Sequence, residues 1–227
     1  METLQHLLQY LLHIDQYLIN FVSTYGVWTY AALFLIIFCE TGLVITPFLP
    51  GDSLLFAAGS LAANDSHALS IQWLFLLLTL ASILGNKINY FVGRAIGPRI
   101  FSTQRAWLNK KYLEEAHQFY EKHGGMTIIF ARYLPILRTF APFVAGVGYM
   151  HVRQFSFFNI ISAVLWIGTL LGAGYFFGTL PFIKQNFSIV VYSIIGISLL
   201  PPVLAFLYRK FFPSAASKLP TTREDHP

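Results

Sequence analysis

The sequence predicts an all-α integral membrane protein with about four full transmembrane helices, two opposed re-entrant helical hairpins and amphipathic interfacial helices. Of its 227 residues, 56% are hydrophobic and only 11% are charged, whereas soluble domains carry about 25% charged residues. Long apolar runs recur along the chain, and two of them are interrupted by prolines and charges, one in each half. Because no polar linker separates two cores, residues 1–227 are expected to form a single membrane domain.

The first 24 residues, 1–24, place apolar and polar side chains at helical spacing. This pattern predicts an amphipathic helix that lies on the membrane or packs against the helical bundle. The first half of the domain follows at 25–93 and has apolar runs at about 25–42 and 71–93. A span needs roughly 20 predominantly apolar residues, so both runs are predicted to cross the membrane.

A third apolar run in the first half, 43–61, is interrupted by Pro47, Pro50, Gly51 and Asp52. Prolines and charges suit a lipid-facing helix poorly. Broken backbone at membrane depth is tolerated only where protein or water surrounds it. This run is therefore predicted to be a re-entrant hairpin that enters from the outer side, with the two prolines and the glycine at its turn.

A surface helix is predicted at 103–123, where apolar side chains line one face and charged side chains line the other. Six lysines and arginines lie between residues 94 and 123, and four more lie in the tail, 209–227. Positively charged connections tend to stay on the cytoplasmic side of a membrane. The surface helix and the C-terminal tail are therefore expected to be cytoplasmic.

The second half of the domain, 126–208, has apolar runs at 126–150, 155–180 and 186–208. If the first of these crossed the membrane, the two remaining spans would place the positively charged tail outside, against the charge rule. A re-entrant hairpin at 126–150 that enters from the cytoplasm removes this conflict. The residues expected to form its turn are Pro135, Pro142 and Gly146.

The two hairpin regions carry opposite charges, with Glu40 and Asp52 in the first and Arg132 and Arg138 in the second. An unpaired charge at the membrane centre costs about 2.5–3.5 kcal/mol, so the four charges are expected to pair or to face a wet cavity. The arginines are candidate binding residues for an anionic headgroup, because a guanidinium donates in a fork to phosphate or carboxylate. The acids are candidate proton-exchange sites, because carboxylates in a partly dry site can change protonation near neutral pH.

Static salt bridges between the two hairpins are an alternative role for the same four charges, and the sequence leaves both interpretations open. Asn86 and Lys87 are candidate accessory residues, although Lys87 is expected to extend its amine to the membrane interface. The histidines are scattered and Cys39 is the single cysteine, so no metal site is expected. Glycines at short spacing in the last part of the 155–180 run predict close helix packing. They are Gly168, Gly172, Gly174 and Gly178.

Three segments resemble the DedA family of bacterial inner-membrane proteins. They are FCETGLVITPFLPGDSLLFAAGSLA, NYFVGRAIG and FYEKHGGMTIIFARYLPILRTFAPFVAGVGYMHVRQFSFFN. The resemblance implies two re-entrant hairpins that face each other and a role in moving lipids between membrane leaflets. It also implies that the essential acids of the family match Glu40 and Asp52, and that its essential arginines match Arg132 and Arg138. Many relatives have an acid where this chain has Asn86.

The expected function is therefore a transporter, or flippase, for an anionic lipid phosphate, either undecaprenyl phosphate or a phospholipid. The resemblance implies that transport depends on the proton motive force. A proton-coupled antiporter of small ions and a non-transporting membrane scaffold are the alternatives. No enzymatic activity, cofactor or nucleic-acid partner is expected. Membrane lipids and protons are the expected partners, a homo-oligomer stays open, and the expected location is the bacterial inner membrane.

Overall fold

The computed structural model describes residues 22, 24–43, 51–63, 69–102, 124–186, 189–194 and 196. In these ranges the secondary structure is helical and contains no strand, which confirms the all-α fold class. The helices are α1 (Trp28–Gly42), α2 (Gly51–Ala62), α3 (Ile71–Ser102), α4 (Met126–Ala131), α5 (Pro135–Val147), α6 (Val152–Phe177) and α7 (Pro181–Gln185). The predicted surface helix 103–123 and tail 209–227 lie outside the described residues, as does 1–24 apart from residues 22 and 24.

Two of the described helices, α3 and α6, are long and apolar enough to cross a membrane. Helix α3 has 32 residues and α6 has 26, so at 1.5 Å per residue they measure about 48 Å and about 39 Å. Helix α3 continues past residue 93, the predicted end of its span, and Arg94 lies on the helix rather than in the following connection. Helix α6 corresponds to the predicted span at 155–180, but it begins and ends three residues earlier.

The remaining helices are shorter than a membrane is thick. Helices α1, α2 and α5 have 15, 12 and 13 residues, or about 18–22 Å, whereas the hydrocarbon core is about 30 Å thick. Helices α4 and α5 are joined by a turn at 132–134. The predicted span at 25–42 is described in full, but its helix α1 has only 15 residues, so a complete crossing there stays a prediction. The span at 186–208 and the two re-entrant hairpins also stay predictions, because most of 186–208 and the connection between α1 and α2 lie outside the described residues.

The predicted turn of the second hairpin is wrong at two of its three residues. Pro135 is the first residue of α5, where a missing backbone N–H is tolerated. Pro142 and Gly146 lie inside α5, which continues through both. The chain instead changes direction just before Pro135, because proline disfavours helical backbone in the residue that precedes it. Leu134 has the extended conformation that this rule demands.

Gly146 contributes to packing instead of forming a turn. A Cβ atom at this position would overlap the backbone carbonyl of Tyr90 on α3. Gly93, also on α3, has the same relation to the carbonyl of Phe143 on α5. The two helices therefore approach each other closely through glycines on both sides. Packing of this kind explains how α5 persists although Pro142 removes one of its backbone hydrogen bonds.

Helices α2 and α6 form a second close pair. A Cβ at Gly59 on α2 would overlap the carbonyl of Leu171, and a Cβ at Gly174 on α6 would overlap the carbonyl of Phe56. Gly178 lies against Ser60 in the same way. The close packing predicted for the glycine-rich part of α6 is thus confirmed at Gly174 and Gly178. It does not extend to the other two glycines: open space surrounds Gly172, and only one ring atom lies near Gly168.

Helix α3 lies centrally and contacts α1, α5 and α6, while α2 packs mainly on α6. The largest apolar core lies where α1, α2, α3 and α6 meet, and it includes Ile37, Leu55, Leu78 and Leu171. This arrangement brings the C-terminal end of α1, the start of α2 and the start of α5 to the middle of α3 and α6.

The close contact between α2 and α6 predicts that Gly174→Ala destabilises the protein. Overpacking of a tight contact costs about 1–3 kcal/mol, so the detergent-solubilised variant should unfold at a lower temperature than the parent. Gly172→Ala is the matched control, because it adds the same methyl group to the same helix where nothing lies within 4 Å. Thermal unfolding followed by size-exclusion chromatography measures both. Equal melting temperatures for the two variants would contradict the close contact.

Candidate functional site

Three of the four predicted site charges converge in the structure. Glu40 lies in the last turn of α1, Asp52 in the first turn of α2 and Arg138 in the first turn of α5. One nitrogen of the Arg138 guanidinium, Nη2, donates to Glu40 Oε1, and the other, Nη1, donates to Asp52 Oδ1 at 2.7 Å. A single guanidinium therefore bridges two carboxylates from two different helices.

This cluster is largely removed from solvent. The side chain of Glu40 is 0% exposed and that of Arg138 is 5% exposed, whereas that of Asp52 is 18% exposed. With both acids ionised the cluster carries a net charge of −1, so protonation of one acid would make it neutral. Asp52 is therefore the most exposed member of the cluster.

Gly51 allows the C-terminal end of α1, with Glu40, to lie close to the start of α2. A Cβ at Gly51 would overlap the carboxylate of Glu40, so residue 51 must lack a side chain for Glu40 to reach Arg138. Gly51 was predicted as a turn residue, and it is the first residue of α2. Its predicted neighbours in the turn, Pro47 and Pro50, lie outside the described residues.

Arg132, the fourth predicted charge, has a different environment. It lies at the turn that follows α4 and is 3% exposed. Its Nη1 donates to Ser162 Oγ at 2.8 Å and to Asn159 Oδ1 at 3.3 Å, and its Nη2 donates to Ser82 Oγ. Among the described residues, no carboxylate forms a salt bridge with Arg132. The two arginines are thus unequal, since one is paired with acids and the other is held by neutral groups.

Trp166 on α6 connects the two environments. Its indole Nε1 donates to Asp52 Oδ1 at 3.1 Å. The ring centroid lies 5.3 Å from the guanidinium carbon of Arg132 and 5.5 Å from that of Arg138. Both distances are within the range of cation–π attraction.

The candidate accessory residues Asn86 and Lys87 separate in the structure. Lys87 is exposed near the middle of α3, which continues to Ser102, so its expected reach to the membrane interface stays a prediction. Asn86 is buried beside Asn159 and Arg132. In one orientation of its amide, Nδ2 donates to Asn159 Oδ1 at 3.0 Å, and in the other its oxygen accepts from Arg132 Nη1 at 3.1 Å. Asn86 therefore belongs to the surroundings of Arg132, and Lys87 does not.

Apart from Asn86, which the sequence had singled out, sequence reasoning missed the polar residues that complete the site. On α6, Asn159, Ser162 and Trp166 are separated by three and four residues and so share one helix face. On α3, Ser82, Asn86 and Asn89 have the same kind of spacing, and Asn89 Nδ2 donates to the Thr139 carbonyl at 2.7 Å. A helical stripe of polar side chains within an apolar span was the signal that could have identified the serines and asparagines, but not Trp166.

In the described ranges, no three His, Cys, Asp or Glu side chains lie together in a way that could hold a metal ion. The chemistry available to the site is ionic hydrogen bonding by two guanidiniums and proton exchange by two carboxylates. Neutral amides and hydroxyls surround Arg132.

Comparison with known proteins agrees with the family resemblance seen in the sequence. Residues 49–176 match the family described as the VTT domain. The chain is 48% identical over 219 residues to Protein DedA of Escherichia coli K12, covering 96% of this chain and 100% of that protein. It is 37% identical over 190 residues to Inner membrane protein YqjA of Escherichia coli K12, covering 82% and 84%. It is 40% identical over 184 residues to an uncharacterized membrane protein of Mycobacterium tuberculosis, covering 81% of each chain. No solved structure matches.

The buried ion pairs predict that Arg138→Gln strongly destabilises the protein. Removal of one partner leaves two carboxylates without their guanidinium, and loss of a partner from a buried pair costs about 3–5 kcal/mol. The double variant Glu40→Gln/Arg138→Gln should recover part of this loss, because Asp52 is then the one carboxylate of the cluster that has lost its bond to the guanidinium. Thermal unfolding in detergent measures the effect.

Lys87→Gln provides the control for this series, since it removes a positive charge from an exposed position of α3. Exposed substitutions usually change stability by less than about 0.5 kcal/mol. The buried pairs do not stabilise the fold if Arg138→Gln and Lys87→Gln have the same melting temperature. The same conclusion follows if the double variant is no more stable than Arg138→Gln alone.

Proposed function

The chain belongs to the DedA family of VTT-domain membrane proteins, and from this we propose that it moves an anionic lipid phosphate between the leaflets of the inner membrane. The substrate would be undecaprenyl phosphate or a phospholipid, and the apolar tail would stay in lipid while the headgroup passes through the protein. The observation that carries the proposal is the buried cluster of Glu40, Asp52 and Arg138 beside Arg132. Intramembrane ionisable residues mark substrate and proton pathways by default.

The phosphate would be bound by the two arginines, as the sequence predicts. A phosphate offers several acceptor oxygens that suit the planar fork of a guanidinium. An anion could replace the neutral groups that now accept hydrogen bonds from Arg132, and no salt bridge to a carboxylate would have to be broken. Arg138, in contrast, becomes available to a phosphate only when its bonds to Glu40 and Asp52 weaken.

Proton coupling would act through the two acids. A protonated carboxyl group attracts a guanidinium less strongly than a carboxylate does, so uptake of a proton by Glu40 or Asp52 would weaken the bridge through Arg138. Because the bridge joins α1, α2 and α5, its weakening would let these helices move apart. Protonation and deprotonation of the acids would thereby determine toward which side of the membrane the site opens.

The helix lengths support a transporter architecture. Helices α1, α2 and α5 meet at the cluster of Glu40, Asp52 and Arg138. Helices α2, α4 and α5 are each too short to cross a membrane. We interpret α2 as part of one re-entrant hairpin and the pair α4 and α5 as the other, one entering from each side. Paired interrupted segments in the two halves of a chain are typical of transporters with a central site. In this topology the C-terminus is cytoplasmic.

One observation favours the scaffold alternative. Both terminal nitrogens of Arg138 already donate to carboxylates, which is what a static salt bridge between two hairpins would show. In that case the charges hold the helices together and bind no substrate. The antiporter alternative uses the same acids, with small ions in place of the lipid.

Transport can be tested with purified protein in lipid vesicles of defined composition. Labelled undecaprenyl phosphate and a labelled phospholipid are followed separately, with and without an imposed pH gradient. We expect lipid movement that the gradient accelerates. Arg132→Gln should reduce it about ten- to a hundredfold, because bonds from a charged donor contribute about 1.5–3 kcal/mol each. Glu40→Gln should remove the dependence on the gradient, and Lys87→Gln serves as the control.

The three hypotheses give different outcomes in this assay. Unchanged lipid movement in a well-folded Arg132→Gln variant would refute the role of Arg132. Exchange of protons for a cation without lipid movement would identify an antiporter. Absence of both activities, together with loss of folded protein in the Arg132→Gln and Glu40→Gln variants, would identify a scaffold.

A further inference from the structure

Trp166 is the side chain through which the acid cluster and Arg132 meet. It is 2% exposed and lies in the middle of α6. Its N–H donates to Asp52, and its ring lies within cation–π range of the guanidiniums of Arg132 and Arg138. Ser162 and Asn159, which hold Arg132, belong to the same helix. One ring therefore contacts both Asp52 and Arg132.

An indole suits this position for two physical reasons. Its faces are negative and attract cations, so it lies favourably against two guanidiniums that would otherwise repel each other. Its single polar atom is a donor, so it can bind the carboxylate of Asp52 but cannot replace it as a partner of Arg138. Because protein interiors are closely packed, the ring cannot follow one partner without changing its contact with the others.

We propose that Trp166 is a positioning residue that couples the protonation of Glu40 and Asp52 to the setting of Arg132. The inference rests on the proposed function, in which the acids exchange protons and Arg132 receives the phosphate. When an acid takes up a proton, the bridge through Arg138 weakens and the indole loses part of its contact with Asp52 and Arg138. The ring then shifts against Arg132 and changes how open that guanidinium is to an anion.

Among the described residues, the charged side chains that act on Glu40 are Arg138 on α5, Asp52 on α2 and Arg132 in the turn before α5, and Arg138 also forms a salt bridge with Asp52. Helices α3 and α6 surround Arg132 with neutral side chains, Ser82, Asn86, Asn159 and Ser162. The response of Trp166 to pH should therefore come from Glu40 and Asp52.

A spectroscopic experiment tests the coupling without any transport. The chain has four tryptophans, and replacement of Trp28, Trp73 and Trp107 by phenylalanine leaves Trp166 as the single reporter. We expect its fluorescence to change in a titration from acidic to neutral pH. The change should disappear in the same protein with Glu40→Gln and Asp52→Asn, which keep side chains of similar shape but cannot titrate. An invariant spectrum, or a change that survives in this double variant, would overturn the proposal.

Transport measurements then separate the two contributions of the indole. Trp166→Leu removes both the ring and the N–H, and we expect the acceleration of lipid movement by a pH gradient to fall about tenfold or more. Trp166→Phe keeps an aromatic face and should restore part of it. Trp73→Phe, at an exposed tryptophan of α3, is the control.

The outcomes distinguish this inference from the proposed function. If the parent protein moves lipid under the gradient and Trp166→Leu keeps the full acceleration, the coupling role is wrong while lipid transport stands. If the parent moves no lipid, the proposed function fails, and the fluorescence titration still decides whether Trp166 responds to the acids. Equal loss in Trp166→Phe and Trp166→Leu, with loss of folded protein in both, would reduce Trp166 to a packing residue and overturn the proposal.

Discussion

The bridge from Arg138 to Glu40 and Asp52 is the interaction on which the arrangement of the site depends. Its three members come from the end of α1 and the starts of α2 and α5, which are far apart in the sequence. A buried guanidinium is unfavourable without an ionic or hydrogen-bonding partner, and so is a carboxylate that is buried or partly buried. The three helix ends must therefore meet at one place. The requirement extends to Gly51, where a side chain would occupy the position of the Glu40 carboxylate.

Close backbone contact is the second element that makes this meeting possible. Glycines bring α3 against α5 and α2 against α6, at Gly93, Gly146, Gly59 and Gly174. In lipid, helices associate through close packing and polar contacts more than through the hydrophobic effect. Polar stripes on α3 and α6 add hydrogen bonds between the same helices, and they provide the neutral surroundings of Arg132. The packing that holds the fold together is thus also the packing that shapes the site.

The charges, the long apolar helices and the family could be predicted from the sequence. Glu40, Asp52, Arg132 and Arg138 stand out because charges are rare in apolar runs, and α3 and α6 stand out because length and composition suffice to identify them. Trp166 could not be predicted, since an aromatic residue in an apolar helix is ordinary until its neighbours are known. Pro142 and Gly146 were assigned wrongly as turn residues, because a helix break in the sequence does not reveal whether tertiary contacts compensate for it.

By itself, then, the sequence determined the all-helical fold class, the membrane location of the family and the four residues that carry charge into the interior. These follow from local composition, from spacing and from resemblance. Only the tertiary structure decided that Arg138 bridges both acids while Arg132 is held by neutral groups, and that Trp166 contacts both. Which buried charges pair depends on how closely segments that are far apart in the sequence approach each other in space. A difference of a few ångströms decides which pairs form.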